Sequence, residues 1–153
     1  MVNDLYKQFR TNTLVVNYWL PSIRAAIALG EDNAPLAIGF LQVTAAYELG
    51  GAPPPFSSGA TMYPVYLRGQ AYLAQQKWSE AAAEFEKIRA HRGLVWNFPT
   101  GALAYAMLGR AYAGQANFAT AKLAYRDFLD LWQGADSDVP ILRAVQTESA
   151  KLK

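Results

Sequence analysis

The 153-residue sequence has no cysteine and only one histidine, His91. Without cysteine there is neither a disulfide framework nor thiolate chemistry, and the redox compartment stays open. One histidine and singly scattered carboxylates leave no cluster with metal-ligand spacing, so no metal and no other cofactor is expected. Charge of one sign is also scarce. Fourteen basic side chains stand against twelve acidic ones, a net charge of +2, which argues against nucleic acid as the main partner. The densest basic run, "KIRAHR" from Lys87 to Arg92, reads as a helix end, where cations complement the macrodipole. The uncharged run Gly93 to Gly109 is interrupted by Pro99 and falls short of a membrane span. The opening "MVNDLYKQFR" lacks the apolar segment of a secretory signal. No membrane insertion by these residues is expected, and the chain reads as part of a longer one.

Catalytic groupings are lacking too. There is no Gly-x-Ser-x-Gly elbow. His91 stands beside Arg92 at a helix end, and Ser57 and Ser58 lie in a glycine-proline loop away from any base. The expectation is a single domain that is not an enzyme.

What the sequence does have is helical periodicity nearly throughout. In "WSEAAAEFEKI", Trp78, Ala81, Ala82, Phe85 and Ile88 fall on one stripe, with Glu80, Glu84 and Lys87 opposite. "FATAKLAYRDFLDLW" repeats the stripe with Phe118, Ala121, Tyr125, Phe128, Leu129 and Trp132. Asn33, Thr100 and Asn117 are placed to cap helices, and Pro35 suits a first turn. Gly93 suits a left-handed stop, and Asp138 a helix start before "ILRAVQTESAKL". The segment Gly50 to Ala60, "GGAPPPFSSGA", reads as an irregular connector. "GLVWNFP" should tuck between helix pairs, with Trp96 and Trp132 as core anchors.

Two stretches align on a glycine. The first runs Gly69, Tyr72, Trp78, Ala81, Phe85, and the second Gly109, Tyr112, Phe118, Ala121, Tyr125, with identical spacing. Small residues let two antiparallel helices approach, and aromatics fill the space beside the contact. Arg68 replaces a core leucine of this pattern, with Glu84 or Glu86 as its expected surface partner.

The pattern resembles the tetratricopeptide repeat, whose order of an aromatic, Leu-Gly, Tyr, Ala and a second aromatic is met by Tyr105, Leu108, Gly109, Tyr112, Ala121 and Tyr125. A degenerate copy lies upstream, with Ala25 and Ala37 in the small slots, Ala28 for the tyrosine and Leu41 for the second aromatic. The expected fold is therefore all-α: antiparallel helix-turn-helix repeats over roughly residues 14–49, 62–92 and 100–132, stacked in a short right-handed superhelix. A capping helix over 139–152 would close it.

Several longer segments, among them "HRGLVWNFPTGALAYAMLGRAYA" and "YRDFLDLWQGADSDVPIL", resemble the C-terminal tetratricopeptide region of bacterial eukaryotic-like serine/threonine kinases. The resemblance implies a regulatory or sensor tail, extracytoplasmic if its parent spans a membrane and cytoplasmic otherwise. The kinase motifs themselves are not in this sequence. It also implies a concave groove lined by the first helix of each pair: Trp19, Ser22 and Ala26, then Tyr63, Tyr66, Gln70 and Leu73, then Leu103, Ala106, Arg110 and Ala113. A protein or peptide would dock there, with Trp19, Tyr63, Tyr66, Gln70, Leu73 and Arg110 as its main contacts. The alternative is a structural or self-associating module whose groove holds no peptide and is empty or filled by the Gly50 to Ala60 loop, with Tyr63 and Tyr66 packed under it. The two differ on Tyr63, Tyr66 and Arg110, which face a ligand in one and are engaged internally in the other.

Overall fold

The computed structural model describes residues 2–50, 61–96 and 98–152; the proline-rich connector expected at Gly50 to Ala60 lies almost wholly outside them, Ser57 and Ser58 included. Among the described residues every regular element is helical. The chain opens with α1 (Val2–Gln8). A π-helical turn (Val15–Trp19) leads into α2 (Leu20–Gly30), and α3 (Ala34–Leu41) runs on into a 3-10 segment (Gln42–Tyr47). There follow α4 (Tyr63–Ala74), α5 (Trp78–Ala90), the short α6 (Arg92–Val95), α7 (Pro99–Gly114), α8 (Phe118–Leu131) and α9 (Pro140–Lys151).

Three hairpins result, α2 with α3, α4 with α5 and α7 with α8, and their turns are closed by the same hydrogen bonds. In the last, Ala116 N–H donates to the carbonyl of Ala113 and Asn117 N–H to that of Tyr112. Gln76 to Leu73 and Lys77 to Tyr72 repeat this, as do Asp32 to Leu29 and Asn33 to Ala28. Each turn therefore ends its helix in a Schellman arrangement, with the residue before the last donor in the left-handed region: Asp32 at φ 55°, Gln76 at 57° and Ala116 at 59°. Two of the turns then start the next helix with a side-chain cap. The Asn33 and Asn117 side chains accept from the Leu36 and Thr120 amides, at 3.2 and 3.3 Å.

The aligned small and large positions pack inside these hairpins. A β-carbon at Gly69 would stand 2.5 Å from the Phe85 ring, and one at Gly109 would overlap the Tyr125 ring. The glycines thus make room for the second aromatic of the facing helix. Ala81 and Ala121 are fully buried, as are Ala25 and Ala37 of the first pair.

Successive helices pack in order from α2 to α5 and then through α7, α8 and α9, while α4 also touches both α2 and α7, so that the first helices of the three hairpins form one layer. Two apolar clusters result. One is alanine-rich, with Ala25, Ala28, Ala34, Ala37, Leu41 and Ala71, and joins α2, α3 and α4. The other is built of larger residues, among them Phe85, Ile88, Met107, Leu108, Tyr125 and Phe128, and runs from α4 to α9.

Several local expectations are corrected. Thr100 caps nothing: α7 starts at Pro99 behind an extended Phe98, and the buried Thr100 hydroxyl donates to the Thr61 carbonyl at 3.3 Å. Asp138 is not a cap either, since Val139 precedes the Pro140 that opens α9. Gly93 is not left-handed but lies within α6, and no described glycine has positive φ. Trp96 is not a core anchor. It is 60% exposed, whereas Trp132 is half-buried with its ring 5.0 Å from that of Phe128. Tyr105 is half-buried on α7, and Tyr112 donates across the α5–α7 contact to Glu86 at 2.9 Å.

Candidate binding groove

Pro21 and Pro64 stand in the first turns of α2 and α4, where a missing N–H costs no helical hydrogen bond. The residues beside these starts, Trp19 and Tyr63, come together with ring centroids 6.3 Å apart and planes tilted by 52°. Trp19, Ser22, Ile23, Ala26, Tyr63 and Leu67 line an apolar pocket of about 240 Å³ between the two helices. Ile23 and Leu67 were not among the expected groove residues. Their signal was present in the sequence, since each lies four positions after an aromatic that was, on the same helical face. Ser22 contributes no free hydroxyl: it donates to the Tyr18 carbonyl at 2.6 Å.

Along the same layer the remaining residues are engaged differently. Tyr66 is only 8% exposed and meets Phe85 edge-on at 5.8 Å. Burial pushes its phenol up to about 12, against the pull of the Arg110 charge. Gln70 and Leu73 are half-buried on α4, and Ala106 is fully buried on α7. Arg110 is held by Glu148 of α9 in a forked ion pair, Nη2 to Oε1 at 2.9 Å and Nε to Oε2 at 3.0 Å. That pairing raises its pKa. The Tyr125 hydroxyl donates to the same carboxylate at 2.8 Å, and burial, then this bond, raises the Tyr125 phenol. The C-terminal helix therefore takes the charged end of the layer, while the Trp19–Tyr63 end is an open pocket among the described residues.

Arg68 is buried, 7% exposed, and not at the surface as expected. It pairs with Glu84 at 3.1 Å, but its shortest partner is Glu48, twenty residues upstream. It also donates to the Leu41 carbonyl at 3.2 Å. Thr44 donates to Glu48 at 3.0 Å, and Lys87 reaches the same carboxylate at 3.4 Å. Burial alone would lower the Arg68 pKa; the bonds from Glu48 and Glu84 outweigh it and raise it. The cluster ties the end of the first hairpin to the second.

A second concavity lies where α6, the start of α7 and the end of α8 meet. It has a volume of about 450 Å³, and its walls include Arg92, Trp96, Phe98, Tyr105, Leu131 and Trp132. Trp96 stands there at φ 52° and ψ −133°, a backbone region that costs a residue with a β-carbon on the order of 1–3 kcal/mol. The His91 Nδ1 lies 2.9 Å from the Lys87 carbonyl. Among the described residues no group of histidines and carboxylates could hold a metal ion, and no helix is long and apolar enough to cross a membrane.

Compared with known protein families, curated proteins and solved structures, the chain matches none significantly.

Proposed function

We propose that this chain is a protein-interaction module of tetratricopeptide type, whose stacked hairpins hold an apolar side chain of a peptide or protein partner between α2 and α4. The observation that carries the reading is the open Trp19–Tyr63 pocket, an apolar concavity with two aromatic walls on the layer formed by the first helices. Rigid aromatics with a partly exposed face are the residues that supply most binding energy at interfaces. The three equivalent turns and the buried glycine, alanine and aromatic positions support the repeat reading. A short right-handed superhelix of three pairs closed by α9 is part of the same proposal, as is a place in the regulatory tail of a bacterial serine/threonine kinase.

One observation favours a structural role for the other half of the layer. Tyr66 and Arg110 are engaged internally, so ligand contact is confined to the first two pairs. The test is selection from a displayed library of random peptides, run on the wild type and on the double variant Trp19→Ala with Tyr63→Ala, both with matching helical circular dichroism. Wild type is expected to enrich peptides sharing a bulky apolar anchor that the variant does not retain. Enrichment of the same peptides by both would overturn the assignment of binding to this pocket, and enrichment of none by either would favour the purely structural reading.

A further inference from the structure

The described residues include eight arginines, and seven of them meet a partner. Arg68, Arg89, Arg110 and Arg126 pair with carboxylates. Arg143 donates to the Ser137 carbonyl, and Arg10 and Arg24 lie 6.0 Å from the rings of Tyr6 and Phe40. Arg92 alone among them meets no carboxylate, carbonyl or ring of the described residues, and it is an exposed residue on the wall of the larger cleft. It is also the single charged residue of that wall, where no acidic side chain stands.

Four aromatic residues, Trp96, Phe98, Tyr105 and Trp132, share the cleft with this guanidinium. Its volume of about 450 Å³ falls in the range of small-molecule sites. Aromatic walls favour a flat ring by offset stacking or edge contact, and an unpaired guanidinium favours a carboxylate, which it can hold with two parallel hydrogen bonds. Trp96 is the most exposed of the four, and its backbone has positive φ.

We propose that this cleft is a binding site for a small aromatic carboxylate, its ring between the aromatic walls and its carboxylate on Arg92. The site shares no residue with the Trp19–Tyr63 pocket, so it stands or falls independently of peptide binding there.

The experiment is a titration of the ¹⁵N-labelled chain with 2-naphthoate and, separately, with the neutral 2-naphthamide, followed through amide and indole N–H resonances. Naphthoate is expected to shift the indole signals of Trp96 and Trp132 saturably and to bind at least tenfold more tightly than the amide. Arg92→Gln should bring naphthoate down to the affinity of the amide, and Trp96→Ala should weaken both. Both residues are exposed, and unchanged thermal unfolding of each variant is the control. Equal affinity for acid and amide in the wild type would overturn the proposal without recourse to any variant. So would the absence of saturable shifts, or shifts confined to the indole of Trp19.

Discussion

Gly69 and Gly109 each lie beneath a ring of the facing helix, with no room for a β-carbon. Gly69→Ala and Gly109→Ala are therefore expected to destabilise by about 1–3 kcal/mol, the cost of overpacking a close contact. Gly39 is the opposite case: it lies inside α3, exposed, with nothing near a β-carbon. There Gly39→Ala should stabilise by about 0.4–1 kcal/mol through the unfolded chain. Urea unfolding of the three variants checks both signs, and a uniform effect would contradict the packing described. Tyr66 supplies a pH dependence. Its folded phenol titrates near 12 because it is buried, and its ordinary value is 10.0. Between those values the unfolded chain releases a proton that the fold retains, so stability is intact below pH 10 and falls as pH rises toward 12. The loss from this one group amounts to about 1.4 kcal/mol per pH unit over the window. Urea unfolding at pH 9 and 11 should show the fall, and Tyr66→Phe should reduce it; a Tyr66→Phe variant that falls as steeply as the wild type would contradict this assignment.

At the scale of elements, the helix pairs were legible because a stripe of apolar residues at helical spacing needs a partner, and short polar turns leave only the next helix to provide it. Asn33 and Asn117 were legible as caps for a local reason: the acceptor and its amide lie three residues apart. Thr100 and Asp138 misled because a proline sets each neighbouring helix start, with Phe98 and Val139 entering in extended conformation. The left-handed residues were not legible as glycine positions, since Gln76 and Ala116 hold them. A glycine adopts that conformation without the β-carbon clash, so Gln76→Gly and Ala116→Gly should stabilise by about 0.5–1 kcal/mol in chemical unfolding. Destabilisation by either would deny the shared turn geometry. Glu48 could not be read as the partner of Arg68, because the pairing depends on how the first hairpin returns across the second. Glu48→Ala should cost about 1–3 kcal/mol, because buried Arg68 loses its shortest partner and keeps only Glu84 and the Leu41 carbonyl. Asp127→Ala, which breaks the exposed pair with Arg126, should cost less than about 1 kcal/mol. Equal losses from the two changes would mean that the buried cluster carries no special weight.

Across the whole molecule, the layer of first helices has two unlike ends. At one end α9 brings Glu148 onto Arg110 and Tyr125, anchored by the buried Leu142 and Val145. At the other, Trp19 and Tyr63 face each other across an open apolar pocket. The expected groove residues were thus divided by the tertiary packing: Arg110 is paired with α9 and Tyr66 is buried against Phe85, whereas Trp19 and Tyr63 line a pocket that is open among the described residues. Spacing along one helix places a residue on a face, but it does not say which neighbouring helix covers that face. The most direct measurement is a ¹⁵N–¹H titration of the wild-type chain with a peptide enriched by the display selection. The account predicts saturable shifts concentrated in residues 19–26 and 63–67, with the Arg110 and Glu148 amides little changed. Shifts centred on α7, α8 and α9 instead, or a selection that yields no binding peptide, would contradict it.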